Sequence, residues 1–218
     1  VGQDRFDMEQ LERLSTKLTL GSGDLTVMTG LSSESRWAEV SSEKIDDLIM
    51  VASKVFDFVV LDVASPLSGG VGALVSSVER NAVARWAVTY ADKVIAVCGA
   101  DPVSIARYLA AMTQVAELQP KGLVLTVVNR LRVSVLGGSA KQQIAETLSS
   151  LGQISVSGFI PDDPAAADLA IRECLPITVG KRSSQARLAL ALFCRTQVLG
   201  EQSKLQGRLT RRAIAKLG

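Results

Sequence analysis

Short apolar runs alternate along this chain with longer segments whose apolar residues recur every three or four positions. The runs Leu25–Met28, Phe58–Leu61, Val94–Val97, Leu123–Val128 and Ile154–Ile160 have the length of strands. Most are continuously apolar and rich in Val, the pattern of strands covered on both faces. Strand-length runs separated by helix-length ones predict βαβ units and a parallel sheet.

The helical segments carry start signals. Asp7 with Gln10 reads as a capping box ahead of Met8, Leu11, Leu14 and Leu18. Ser41 or Ser42 caps a helix whose Ile45, Leu48, Ile49 and Ala52 share a face. Asp101-Pro102 places a capping acid before proline at the first helical position, and Asp163-Pro164 repeats the arrangement. Ser139 with Gln142 opens another helix, and residues 184–199 form a largely apolar one. Two segments break the pattern: 63–79, rich in Gly and Ser, and 200–218, polar and basic. The expected architecture is therefore α/β, a three-layer, mostly parallel, doubly wound sheet. Residues 1–199 form one domain and 200–218 an amphipathic appendage.

Composition narrows the chemistry. Of 218 residues, 47% are hydrophobic, enough for a core without disulfide or metal staples. No histidine is present, which excludes Ser-His-Asp and Cys-His catalysis and histidine metal ligation. Cys98, Cys174 and Cys194 are widely spaced, so no zinc or C-x-x-C motif arises, and Cys98 reads as a buried thiol. No apolar stretch reaches membrane-spanning length, and the expected location is the cytoplasm, peripheral at the inner face of the membrane if the tail binds lipid.

The remaining chemistry sits at strand ends. Asp62 closes the run Phe58-Val59-Val60-Leu61, and ligands of doubly wound sheets collect at the carboxyl ends of strands. An aspartate there holds a Mg²⁺-bound water beside a nucleotide phosphate, or caps an ordinary turn. The loop that follows, with Ser65, Pro66, Gly69 and Gly70, is a nucleotide-sensing switch or a flexible connection. Asn129-Arg130 ends another run; the Asn amide can read an adenine edge or form a turn. Pro161-Asp162 ends a third, where proline removes a donor and leaves carbonyls exposed to a base.

The strings DFVVLDVASPLS, DKVIAVCGADPVSIARYLAAM, GLVLTVVNRLR and ISVSGFIPDDPAAADLAIRECLPI, in that order, resemble the MinD/ParA class of P-loop ATPases over residues 20–195. Within it they look most like the actinobacterial septum-site-determining and CpaE-like pilus-assembly branch. The resemblance implies an ATP- and Mg²⁺-dependent homodimer that positions division, pilus or secretion, or partition machinery. It also implies Asp62 as the Walker B acid, acting on the metal through water, and Ser65, Pro66, Gly69 and Gly70 as switch II. Asn129, Arg130, Pro161 and Asp162 border the adenine by the same resemblance, and Asp101 to Ser104 match a scaffold position.

One departure counts against catalysis. The phosphate loop G-x-x-x-x-G-K-[ST] is absent, for Gly180-Lys181 continues as Arg182-Ser183. The first strand, phosphate-loop helix and switch I are expected upstream of Val1, and this chain alone is expected not to hydrolyse ATP. A non-catalytic scaffold of the same fold is the alternative. A Rossmann-type enzyme is disfavoured, because no G-x-G-x-x-G follows a strand.

Charge is uneven. The net +2 combines +4 on residues 200–218, from Lys204, Arg208, Arg211, Arg212 and Lys216 against Glu201, with −2 on the rest. On a helical wheel Leu205, Leu209, Ala213 and Leu217 share one side, and Lys204, Arg208, Arg211 and Arg212 cluster opposite. Such a segment suits anionic lipid, non-specific DNA or plain solvation.

Overall fold

The computed structural model describes residues 6–20, 23–31, 33, 36, 39–63, 67, 81–132, 139–180 and 182–201. Ser65, Pro66, Gly69 and Gly70 lie outside the described residues, as do Lys204, Arg208, Arg211, Arg212 and Lys216. The chain divides into two units, residues 1–94 with 110–123 and residues 95–109 with 124–218.

In the first unit, α1 (Met8–Leu14) begins where Asp7 accepts a hydrogen bond from the Gln10 amide at 2.9 Å. It ends at Ser15, and Leu18, expected on its apolar face, belongs instead to β1 (Thr16–Leu20). The period changes there from helical to alternating. Leu18 lies opposite Leu25 of the antiparallel partner β2 (Gly23–Val27). On the other face Lys17 and Thr19 both reach Asp24, at 2.9 and 3.0 Å. The run expected near Leu25–Met28 thus forms a hairpin and not a strand of the parallel sheet. α2 (Ser42–Ala52) starts at Ser41, whose hydroxyl accepts from the Lys44 amide. α1 packs on α2 and α2 on α3 (Ala82–Tyr90), and Leu11, Ala52, Ala84, Ala87 and Val88 on these helices are buried.

Phe58–Leu61, expected as a strand, is not one. No ladder to a neighbouring strand holds it among the described residues, and Val60 is 88% exposed. An apolar run becomes a strand only when another backbone pairs with it.

The sheet expected from the remaining runs is present. It is a three-stranded parallel sheet in the order β3 (Lys93–Gly99), β4 (Leu123–Leu131), β5 (Val156–Pro161). α4 (Pro102–Glu117) and α5 (Ala140–Gly152) make the crossovers. α6 (Pro164–Arg172) and α7 (Gln185–Phe193) follow, and α7 runs into one π-helical turn, Cys194–Val198. The α/β class therefore holds.

β4 carries the core: Leu125, Thr126, Val127 and Val128 are buried in succession, which is coverage on both faces. β3 departs from that expectation, since Ile95 and Val97 are exposed and only the alternate positions are covered. Leu125 and Val127 pack with Ile160 of β5 and with Ala186 and Phe193 of α7. Gly158 makes this contact possible, because a Cβ there would stand 2.8 Å from the Phe193 ring. The Tyr108 and Thr126 hydroxyls satisfy each other in the interior at 2.8 Å. Among the described residues no helix is long and apolar enough to cross a membrane.

Cys98 is buried as expected, and its thiol donates to the Gly99 carbonyl. Burial, reinforced by the charge of Asp101, pushes this thiol up to about 11. A thiol-specific reagent at pH 8 should therefore label the exposed Cys174 and Cys194 quickly and Cys98 only after denaturation. The stability that this group contributes is complete below the ordinary thiol range. It is lost as pH rises through about 11, because the unfolded thiol ionises first. Labelling of Cys98 in the native protein at the rate of the other two would contradict its placement.

Candidate functional site

The three strands end side by side, and each is followed within two residues by a charged one. At the end of β3, the Ala100 amide donates to the Asn129 carbonyl at 3.1 Å, tying this end to that of β4. Asp101 then caps α4, accepting from the Ser104 amide at 2.9 Å. Gly99 is required there, since a Cβ would stand 2.6 Å from the Ser104 hydroxyl. Hydrogen bonding from Ser104, chiefly from its side chain, holds the Asp101 carboxyl below its usual range, with a smaller contribution from the Arg130 charge.

β4 does not end as a regular strand. Its register against β5 shifts between Val128 and Leu131, and Arg130 sits at φ 56°, in the left-handed region. The Asn129 side-chain oxygen accepts from the Arg130 amide at 2.8 Å and so holds the bulge. A left-handed arginine is uncommon outside sites where surrounding structure enforces it. The geometry leaves the Arg130 side chain exposed, and one lone pair of the Asn129 oxygen is already committed.

β5 ends at Pro161, opposite Leu131. The Asp162 amide donates to the Leu131 carbonyl at 3.0 Å, and the Asp162 carboxylate faces Arg132 at 3.6 Å. Asn129, Arg130, Pro161 and Asp162, expected near one another, are thus brought onto one edge. Asp101 and Arg132 join them. Arg132 was not singled out by sequence; its signal is the alternation Asn-Arg-Leu-Arg, which places a second cation two residues after Arg130.

Asp62 belongs to the other unit, exposed and in a stretch without strand structure. A single carboxylate is too few oxygen ligands to hold a Mg²⁺ ion by itself. Among the described residues no group of three or more Cys, Asp or Glu side chains gathers to bind a metal.

Solved structures share the fold. A ParA family ATPase from Chlorobium tepidum TLS superposes with a TM-score of 0.68 at 16% identity, covering 87% of this chain and 69% of its own. The fold is that of the ParA and MinD proteins. MinD in a MinC:MinD cell division complex from Aquifex aeolicus matches with a TM-score of 0.60 at 17% identity, over 90% of this chain and 74% of its own. The septum site-determining protein MinD of Pyrococcus horikoshii OT3, complexed with Mg-ADP, gives 0.61 at 13% identity, over 94% and 79%. No protein-family profile matches the chain, and no curated protein matches it in sequence.

Proposed function

We propose that the strand-end edge bearing Asn129, Arg130, Pro161 and Asp162 binds the base of an adenine nucleotide in a MinD/ParA-like positioning protein. The observation that carries this reading is the left-handed bulge at Asn129-Arg130, placed beside the proline-stiffened end of β5. It supports a base site because the amide of Asn129 keeps acceptor capacity while the loop carbonyls accept from an amino group. ATP and Mg²⁺ are the proposed cofactors. Asp62 acts on the metal through water, and Ser65, Pro66, Gly69 and Gly70 respond to the phosphates. A homodimer of the intact protein serves septum, pilus or partition machinery from the cytoplasmic face. Lys204, Arg208, Arg211, Arg212 and Lys216 supply the surface for anionic lipid or DNA. This chain alone lacks a phosphate loop and is proposed not to hydrolyse ATP.

Titration of the full chain with a fluorescent ATP analogue and Mg²⁺ tests this. Saturable binding that ATP displaces better than GTP is expected, with Asn129→Ala weakening it about tenfold. Absence of binding at millimolar analogue would favour the scaffold of the same fold.

A further inference from the structure

The turn from β5 into α6 is held from two sides. Toward β4 it is held by the Asp162 amide on Leu131 and by Arg132 beside the Asp162 carboxylate. Toward α7 the next residue, Asp163, does the holding. One oxygen of its carboxylate accepts from the Ala166 amide at 3.2 Å and caps α6. The other accepts from the Ser184 hydroxyl at 2.7 Å. Ser184 caps α7 in turn, accepting from the Arg187 amide at 3.1 Å, and is only 3% exposed. A single carboxylate therefore joins the N-caps of two helices that begin 21 residues apart.

Such a carboxylate does more than cap a helix. Pro161 has no N–H to fix its own position, so the loop that follows it depends on the bonds made by Asp162 and Asp163. We propose that Asp163 is a positioning residue: its link to Ser184 anchors the Pro161-Asp162 loop to α7 and so sets where the loop carbonyls meet a bound base. The proposal rests on the nucleotide reading above for its ligand, and on the Asp163–Ser184 geometry for the latch. The donors around Asp163, Ser184 first, hold its carboxyl below the usual range, so it stays ionised at neutral pH. The charge also suits the positive ends of both helices.

Amide hydrogen exchange on the full chain, without nucleotide, tests the latch. Asp163→Ala should speed exchange about fivefold in the first turn of α7 as well as α6, and Ser184→Ala should do the same in α6 as well as α7. Two independent caps would each loosen only their own helix, and that result overturns the latch. Asp163→Asn keeps an acceptor for Ala166 and offers an N–H to the Ser184 oxygen, so it should restore near-native exchange. The same variants are then titrated with the fluorescent ATP analogue. Asp163→Ala and Ser184→Ala should weaken binding about tenfold and erode the preference for ATP over GTP, with Asp163→Asn close to the native protein. Native affinity and native base preference in both variants would overturn the positioning role. Absence of binding by the native chain would overturn the nucleotide reading, and the loop's ligand role with it, while exchange still decides the latch.

Discussion

Leu148→Ala should lower the unfolding free energy by about 3 kcal/mol, within the range for leucine truncation in a core that cannot collapse fully. Leu148 has 0% of its surface exposed and lies on the α5 face that also carries Ile144 and Ala140, one and two turns earlier. Removing its isobutyl group withdraws apolar surface from an interior that already excludes water and leaves a hole lined by neighbours fixed on rigid elements. Urea unfolding should show a lower midpoint at unchanged slope. Leu151, on the same helix but 70% exposed, is the control. Its alanine variant should stay within about 0.5 kcal/mol of the native chain. Equal losses at the two positions would show that α5 does not present its 140-144-148 face inward.

Gly122→Ala should cost a similar amount, about 3 kcal/mol, through crowding and not through a cavity. A Cβ at this position would stand 2.1 Å from the Ala91 carbonyl oxygen and 2.3 Å from that of Asp92. Both are backbone atoms, so no rotamer change relieves the clash. The flanking residues cannot move freely either, because the Lys121 amide donates to Thr89 and the Leu123 amide to Asp92. The Lys121 ammonium also rests over the Tyr90 ring, 4.1 Å from its centre. An added methyl must therefore break at least one of these bonds to fit. Gly30→Ala is the matched control, since nothing lies within 4 Å of a Cβ there. Thermal melting should separate the two glycines by several degrees or more. Coincident melting curves would mean that the approach of residues 91–92 to Gly122 is looser in solution than in the structure.

The elements that could be read in advance share a cause. The carboxylates of Asp7, Asp101 and Asp163 and the hydroxyl of Ser41 each cap a helix through a bond to an amide three residues on. Such a bond is decided by neighbours in the chain, so spacing alone reveals it. β4 was legible for a related reason: four consecutive buried residues need four consecutive apolar or small polar ones. The candidate edge was partly legible, because strand-terminal Asn129 and Pro161-Asp162 announce themselves by residue type.

What was misread depends on partners that adjacency does not specify. Leu18 continues the helical spacing of α1, yet pairing with Leu25 places it in a hairpin. Phe58–Leu61 has the composition of a strand and, among the described residues, no ladder to make it one. α3 went unread because the run Ala82–Tyr90 opens without a side-chain cap.

By itself, then, the sequence determined the α/β alternation, the capped helix starts, the buried β4 and the exclusion of histidine chemistry, all of which follow from local bonds and composition. Tertiary structure alone decided the left-handed turn at Arg130, the pairing of Asp162 with Arg132, and the meeting of Asp163 with Ser184 across 21 residues. Those three arise only when separate strands and helices are brought together, because each joins groups whose approach depends on packing and not on the residues beside them.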